Sequence, residues 1–193
     1  MKTIIWDVDD VLNDLMKSWF ENIWLPSNRG CHLSYKNLTS NPPNELLNLK
    51  KEDYFKLLDE YRNSDKARNM KPDKKVIKWF EKYGENFRHI ALTGRPTHTV
   101  SAAVEWVLCY FGKWIRTVSF IPSARPKVYM PSYDKDKIEY LKWFGKADFF
   151  IDDKTDDIEG AKKLGIKSYL VSQPWNNAKL TLPEILDLLT TNE

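Results

Sequence analysis

The stretch TIIWDVDDVLND, residues 3–14, changes abruptly from an apolar run to an acidic one. Its β-branched and aromatic opening favours a strand in the interior of a sheet. Four aspartates follow almost directly: Asp7, Asp9, Asp10 and Asp14. Carboxylates packed this closely repel one another, so the sequence indicates a cation or cationic side chains that compensate their charge.

The composition indicates a folded protein. Of the 193 residues, 42% are hydrophobic and 30% are charged, which allows one buried core and an insertion. The net charge of +3 is too small to indicate nucleic-acid binding by itself. Cys31 and Cys109 form no CxxC motif, and neither a signal peptide nor an apolar run of membrane length is found. We therefore expect a cytoplasmic protein with free thiols and no membrane partner.

Short apolar runs alternate with segments of helical periodicity, which predicts βα units and a parallel sheet. Strands are predicted over residues 3–8, 88–92, 117–121, 148–151 and 167–171. Helices are predicted over residues 73–83, 97–111, 135–144, 155–164 and 182–189. A glycine follows each of the first four helices, as is common at helix ends.

Residues 15–70 interrupt this alternation. They contain no convincing strand, carry the breaks LPSNRG and SNPPNE, and favour helices over residues 15–24 and 51–61. We interpret the segment as a small helical cap over the carboxyl end of the first strand, with a structural excursion without function as the alternative. This predicts an α/β core of residues 1–14 and 71–193 and a cap of residues 15–70.

Two acidic groups follow apolar strands. Asp7 and Asp9 are two residues apart and point the same way in an extended chain. The second group lies in FFIDDKTDDIEG, residues 149–160. Since ligands bind beyond the carboxyl ends of parallel strands, both groups would face one divalent cation such as Mg²⁺. Alternatively, Asp153 and Asp157 only stabilise the start of the next helix.

Two further stretches carry groups that can bind phosphate. RHIALTGRP, residues 88–96, places the hydroxyl of Thr93 and the backbone N–H of Gly94 at a strand end, although Thr-Gly also marks ordinary turns. YDKDKIEYLKWFG, residues 133–145, contains Lys135 and Lys137. Either lysine would act as a point charge if it were directed into the site, and a solvent-exposed side chain is the alternative for each.

The order DxD, Thr-Gly, Lys, Asp-Asp resembles the four motifs of the haloacid dehalogenase (HAD) superfamily. WDVDD, IALTG and FFIDDKTDD match its first, second and fourth motifs, and the resemblance covers nearly the whole chain. Lys137 fits the third motif best because it lies 15 residues before Asp152, and Lys135 stays open. The resemblance implies an α/β, HAD-like Rossmannoid fold of three layers, with a parallel sheet and a small helical cap inserted after the first strand.

Within the superfamily, the sequence is most similar to the 5′(3′)-deoxyribonucleotidases (5′-nucleotidase type C). The similar stretches are DVDDVLND, FFIDDKTD and QPWN, the last at residues 173–176. Leu15 stands where those enzymes commonly have an aromatic residue, and Trp19 follows one turn later. The resemblance implies a small phosphomonoester substrate, a nucleotide. On a helix from Leu15, Trp19 would lie on the same face as Leu15, where an aromatic ring could cover the base.

The resemblance also implies roles for the motif residues. Asp7 would be the nucleophile that forms an aspartyl-phosphate, and Asp9 the general acid and base. Mg²⁺ would be held by Asp7, the Asp9 carbonyl and Asp153. Phosphoryl oxygens would be bound by Thr93, Gly94 and Lys137. Metal-bound waters would be held by Asp152 and Asp157. Whether Asp152 or Asp153 binds the metal directly stays open.

Other interpretations compete with this one. A two-component receiver domain places its phospho-accepting aspartate mid-chain and its lysine last, contrary to the order here. A non-catalytic binding protein on the same fold would be expected to lack Asp7 or Asp9. A phosphatase of polynucleotide ends matches TGRP and IDDKT but needs a basic groove, and residues 15–71 carry ten Lys/Arg against seven Asp/Glu. Another small-molecule phosphatase stays open, and the oligomeric state is not predicted.

Overall fold

Five parallel strands form the centre of the structure, a computed structural model that describes residues 1–125, 131 and 133–191. They are β1 (Lys2–Trp6), β2 (Phe87–Arg95), β3 (Ile115–Pro122), β4 (Phe149–Asp152) and β5 (Lys167–Leu170). Their order across the sheet is β3-β2-β1-β4-β5, and every neighbouring pair is parallel. Because β1 is central, the residues that follow it lie at the middle of the sheet's carboxyl edge.

Helices connect these strands. Within the described residues they are α1 (Leu15–Trp19), α2 (Leu25–Ser27), α3 (Lys51–Arg62), α4 (Asp65–Arg68), α5 (Lys74–Tyr83), α6 (Val100–Phe111), α7 (Lys137–Phe144), α8 (Thr155–Lys163) and α9 (Leu182–Thr191). A wider π-helical turn, Phe20–Trp24, joins α1 to α2. The predicted helix over residues 15–24 is divided into α1 and this turn. Each other predicted strand and helix is present, with ends shifted by at most three residues. None of the described helices has the length and apolarity needed to cross a bilayer.

Helices cover both faces of the sheet and so produce three layers. Ile4 and Trp6 of β1 join the buried cluster formed with α5, α6 and α9. Ile5 points the other way and joins the cluster formed with α7 and α8. Burial on both faces explains why β1 is a continuous apolar run and not an alternating one. The predicted three-layer α/β architecture is confirmed.

The segment 15–70 has a buried cluster of its own. It comprises Leu15, Met16, Trp19, Phe20, Trp24, Leu38, Leu47, Tyr54, Leu58, Tyr61 and Ala67. From the rest of the chain, Trp175 packs against this cluster as a partly buried residue. A separate cluster is what a cap requires, and the boundaries at residues 14 and 70 stay a prediction. We call residues 15–70 the cap below.

A buried histidine on β2 is hydrogen-bonded to Trp6 of β1. His89 on β2 is 3% exposed, and its Nδ1 accepts a hydrogen bond from Trp6 Nε1 at 3.1 Å. Its Nε2 lies 2.8 Å from the Gly84 carbonyl oxygen. Because Nδ1 is an acceptor, the neutral ring carries its proton on Nε2 and donates it to Gly84. Burial lowers the pKa of His89 to about 4.

We therefore expect the free energy of unfolding to fall as the pH drops from 6.5 towards 4. The unfolded chain takes up a proton at the ordinary histidine pKa of 6.5, whereas folded His89 does not until about 4. The stability that neutral His89 contributes is therefore fully present above pH 6.5 and lost below about pH 4. The loss amounts to at most about 3 kcal/mol of the free energy of unfolding. Urea unfolding of wild type and His89→Gln across this range measures it. Parallel pH profiles of the two proteins would contradict the assignment.

Candidate active site

The carboxyl ends of β1, β2 and β4 bring the predicted motifs together. Asp7 follows β1, Thr93 and Gly94 lie near the end of β2, and Asp152 is the last residue of β4. The backbone N–H of Asp7 donates to the Ile151 carbonyl at 2.9 Å. This bond extends the pairing of β1 with β4 by one residue, so it fixes Asp7 beside the second acidic group.

Asp7, Asp152 and Asp153 form a buried group of carboxylates. One oxygen of each lies within 4.8 Å of the others. Burial, with Asp152 as a neighbouring negative charge, raises the pKa of Asp7 to about 6 and that of Asp153 well above its usual range. The protein alone therefore leaves the negative charge of this group undercompensated. A divalent cation would supply the missing charge, and the oxygen donor set is the one that Mg²⁺ prefers.

Asp152 and Asp153 differ in the oxygens that they leave available. Asp152 Oδ2 accepts from Lys137 Nζ at 2.7 Å, and its Oδ1 accepts from the backbone N–H of Lys154 at 2.9 Å. Asp153 Oδ2 accepts from Trp175 Nε1 at 2.7 Å. No described residue donates a hydrogen bond to Asp153 Oδ1. Asp153 therefore has the less occupied carboxylate of the two.

Lys137 lies among the carboxylates, whereas Lys135 does not. The ammonium group of Lys137 is 2.9 Å from Asp7 Oδ1, 2.7 Å from Asp152 Oδ2 and 3.9 Å from Asp157 Oδ2. Burial alone would lower the pKa of Lys137, but the surrounding carboxylates raise it above its usual range, so the group is charged. The side chain of Lys135 is 85% exposed. Lys137 is therefore the lysine that points into the site.

Thr93 carries a buried hydroxyl without a partner. The residue is 1% exposed, and its Oγ1 has no hydrogen-bond partner in the described part of the chain. Leaving a buried hydroxyl unpaired costs about 1–3 kcal/mol, so a ligand with acceptor oxygens would be stabilised here. Thr93, Gly94, Asp7 and Lys137 line one cavity, as a phosphate site requires.

Two cavities that share lining residues open at this edge of the sheet. The inner cavity has a volume of about 160 Å³, and its roof is formed by Tyr54, Phe55 and Leu58 of the cap. The outer cleft has a volume of about 1080 Å³. Gly94, Ser123, Arg125, Lys137, Asp153 and Lys154 are among the residues that line both. A ligand can therefore place a small anionic group inside and a larger organic group outside.

Asp9 is held by two arginines that the motifs did not single out. Arg95 donates Nε–H to Asp9 Oδ2 at 2.8 Å and also pairs with Oδ1 through Nη2. Arg62, from α3 of the cap, reaches Asp9 Oδ2 at 3.2 Å. Burial alone would raise the pKa of Asp9, but Arg95 and Arg62 together hold it well below its usual range. Asp9 is thus an ionised carboxylate in this arrangement.

Asp59 of α3 extends this network from the cap to the core. Its Oδ1 pairs with Arg62 Nη1 at 3.0 Å. Arg125, which follows β3, makes a two-pronged pair with Asp59, at 2.7 Å from Nε to Oδ2 and 2.9 Å from Nη2 to Oδ1. The guanidinium of Arg125 also lies 4.3 Å from the ring centroid of Phe55. These contacts hold the cap against the core beside the inner cavity.

The prediction that Trp19 covers a substrate base is wrong. Its side chain is fully buried, packs against Trp24 and Tyr54 at centroid distances of 5.9 and 5.4 Å, and lines neither cavity. The helical spacing from Leu15 is as predicted, but that face of α1 turns into the core of the cap. Tyr54 and Phe55 of α3 lie at the inner cavity instead.

No family model and no curated protein matches the sequence. Solved structures do. The chain is similar to a hydrolase from Streptococcus pneumoniae TIGR4, with TM-score 0.61 and 15% identity over 98% of this chain and 100% of that one. It is similar to a HAD-superfamily hydrolase, subfamily IA, variant 1, from Geobacter sulfurreducens PCA, with TM-score 0.57 and 17% identity over 98% and 96%.

A third similar structure is the HAD-hydrolase YfnB from Bacillus subtilis. It has TM-score 0.60 and 12% identity over 98% of this chain and 97% of that one, and it is described as bound to magnesium and as revealing interdomain movement. At such identities the likeness concerns the fold. The chain therefore has the fold of HAD-superfamily hydrolases, as its motif order predicted. The closer similarity to deoxyribonucleotidases stays a prediction.

Proposed function

We propose that the protein is a Mg²⁺-dependent phosphomonoester hydrolase that acts through an aspartyl-phosphate on Asp7. The observation that carries the proposal is the convergence of three distant groups on one cavity of about 160 Å³. These groups are the Asp7 carboxylate, the Lys137 ammonium and the unpaired Thr93 hydroxyl. A nucleophile, a fixed positive charge and a free donor together suit a phosphoryl group.

Mg²⁺ fits the residues that meet at this edge. Asp7 and Asp153 offer carboxylate oxygens, Asp9 offers its backbone carbonyl, and Asp152 and Asp157 would orient bound waters. When bound, the ion offsets the charge of the carboxylates and of the phosphoryl group. The raised pKa values of Asp7 and Asp153 support the assignment, because burial and the neighbouring Asp152 carboxylate disfavour their charged forms and a bound cation would favour them.

The protein's own groups account for the chemistry. Asp7 Oδ1 accepts a hydrogen bond from the backbone N–H of Val8 at 2.8 Å and lies 2.9 Å from Lys137 Nζ. Because both contacts are to Oδ1, Oδ2 is the oxygen left to attack phosphorus. The ester P–O bond breaks, and the leaving oxygen takes a proton from Asp9. Water then attacks the acyl-phosphate and gives its proton to Asp9. The bond from Asp7 to phosphorus breaks, and phosphate is released.

Of the two roles of Asp9, the acid role requires that its ion pairs loosen. Proton donation needs a neutral carboxyl group, which the neighbouring Arg95 and Arg62 disfavour. Arg62 belongs to the cap, so a movement of the cap that withdraws it would remove one of the two guanidinium groups. Substrate entry under the roof of the inner cavity needs the same movement. We infer that the cap opens and closes in each turnover.

At the finer level we propose a nucleoside monophosphate as the substrate. The roof over the inner cavity excludes folded proteins from Asp7, whereas the outer cleft of about 1080 Å³ has room for an organic group. Polar and aromatic side chains line that cleft, among them His98, Trp175 and Asn176. The similarity of DVDDVLND and FFIDDKTD to deoxyribonucleotidases supports a nucleotide over a sugar phosphate.

A phosphate-release assay over a substrate panel tests this function. The panel contains ribo- and deoxyribonucleoside monophosphates, sugar phosphates, p-nitrophenyl phosphate and short 3′-phosphorylated DNA. We expect release that stops when EDTA removes the metal and returns when Mg²⁺ is added, with nucleotides as the best substrates. Preference for DNA ends or sugar phosphates would overturn the nucleotide assignment alone. Absence of Mg²⁺-dependent release from every compound would overturn the phosphatase itself.

A further inference from the structure

The loop that follows β5 holds Asp153 from the side of the outer cleft. Trp175 Nε1 donates to Asp153 Oδ2 at 2.7 Å. Asn176 Nδ2 lies 2.8 Å from the Asp153 carbonyl oxygen and 2.9 Å from that of Val171, and it donates to both. Adjacent residues of one loop therefore bind both the side chain and the backbone of Asp153. Within the part of the chain that the structure describes, the ion pairs of the site's lysine and arginine side chains do not include this carboxylate.

Trp175 is itself fixed by the cap. The ring of Tyr35 lies edge-on to the indole, with centroids 6.2 Å apart and an interplanar angle of 88°. The Tyr35 hydroxyl donates to Gln173 Oε1 at 2.7 Å, and Gln173 Nε2 donates to the Asp10 carbonyl at 2.6 Å. Gln173 thus bridges Tyr35 of the cap and Asp10 in the acidic stretch that follows β1. This gives the indole N–H a defined direction, which a loop residue without such partners would lack.

An indole N–H suits this position chemically. It is a donor only, so it cannot replace the carboxylate as a metal ligand. By occupying Oδ2 it leaves Oδ1 of Asp153 as the available oxygen. It also places a positive dipole beside one of three close carboxylates without adding a full charge that would compete with a cation. A lysine or arginine at the same place would add such a charge.

We propose that Trp175 is a positioning residue for metal binding, which orients Asp153 so that a single oxygen serves the cation. This role rests on the proposed function, because it takes Asp153 as a Mg²⁺ ligand. This positioning role differs from stacking on a substrate base, because the indole N–H is already hydrogen-bonded to Asp153. Outer partners of this kind commonly change metal affinity by 10- to 100-fold when they are removed.

The first test follows the indole itself. Each of the eight tryptophans can give its own side-chain cross-peak in a ¹H–¹⁵N correlation spectrum. Trp175→Phe identifies the Trp175 peak by its loss, and Trp143→Phe identifies a reference on α7 that is 75% exposed. During a Mg²⁺ titration we expect the Trp175 peak to shift and saturate while the Trp143 peak stays in place. An unmoved Trp175 peak in a protein that binds Mg²⁺ would overturn the inference.

The second test measures Mg²⁺ affinity by calorimetry in four proteins. We expect Trp175→Phe to weaken binding by roughly 10- to 100-fold without lowering the melting temperature in EDTA, and Trp143→Phe to match the wild type. Asp153→Asn separates this inference from the proposed function. If Asp153→Asn loses Mg²⁺ while Trp175→Phe binds it normally, only the positioning role fails. If Asp153→Asn binds Mg²⁺ as the wild type does, the proposed metal site fails, and this inference with it.

Discussion

Replacing Asp7 with asparagine is expected to abolish phosphate release, a loss on the order of 10⁴-fold or more, because an amide cannot form the covalent intermediate. The substitution is nearly isosteric, and it keeps an acceptor oxygen for the backbone N–H of Val8 and for Lys137. The measurement is steady-state hydrolysis of p-nitrophenyl phosphate and of the best nucleotide at saturating Mg²⁺. Undiminished hydrolysis by the folded variant would contradict the assignment.

The same variant should remain folded. Burial raises the pKa of Asp7 to about 6, so the folded state binds a proton there more tightly than the unfolded chain does. Ionisation of Asp7 therefore lowers the free energy of unfolding as the pH rises from 3.8 through 6. Asparagine removes that unfavourable charge. We expect a melting temperature in EDTA at neutral pH that equals or exceeds that of the wild type, which is the control for the activity measurement.

Replacing Asp9 with asparagine should produce the second large loss, on the order of 10² or more, in both half-reactions. Nitrophenolate leaves with little help from a proton, so formation of the intermediate should be impaired less than its hydrolysis. With p-nitrophenyl phosphate we therefore expect a burst of about one equivalent of nitrophenolate per active site, followed by slow turnover. Stopped-flow absorbance measures both phases. A linear time course at the reduced rate would contradict the base role.

Arg95→Met is the matched control for Asp9→Asn. Both variants break the same buried ion pair, in which the Arg95 side chain is 4% exposed and that of Asp9 13%. Both should lower the free energy of unfolding, by about 3–5 kcal/mol for a pair of this kind. The arginine variant keeps the carboxylate, so it should show no burst. Equal losses in the two variants would reduce Asp9 to an ion-pair partner, and rescue of Asp9→Asn by high Mg²⁺ would indicate a purely metal-binding role.

The strands and long helices could be predicted because local signals specify them. Ile4 and Ile5 are buried on opposite faces, so β1 appears in the sequence as an unbroken apolar run. The short helix α4 was missed, because its four residues are polar except Ala67 and it depends on Ser64, whose Oγ accepts from Ala67 N at 3.3 Å. Such a helix forms through contacts that periodicity does not reveal.

The glycines after the helices show a similar limit. Gly145 and Gly165 have positive φ, 67° and 79°, which is the left-handed helix end that the sequence predicted. Gly84 is right-handed, with φ −59°. A Cβ there would lie 2.6 Å from Trp114 Cδ1, so this glycine is required by close packing and not by its backbone angle. A tertiary contact of this kind cannot be inferred from a glycine at a helix end.

The candidate site was predictable where its residues lie next to strand ends, and less so elsewhere. Arg95 shares a face of β2 with Thr93 at a spacing of two, which is a signal that could have identified it. Arg62 lies 53 residues from Asp9 on a cap helix, and nothing local connects the two. The prediction for Trp19 was wrong for the same reason. Helical spacing indicates on which face of α1 the side chain lies, but not which part of the protein packs against that face.

The central claim is that a phosphoryl group is transferred to Asp7. The direct measurement is to quench the Asp9→Asn variant during turnover, reduce the acyl-phosphate with borohydride, and locate the modified residue by mass spectrometry of the peptides. The account predicts that Asp7 is converted to homoserine, only when substrate and Mg²⁺ are both present. Modification of another aspartate, or no modification while nitrophenolate is still released, would contradict it.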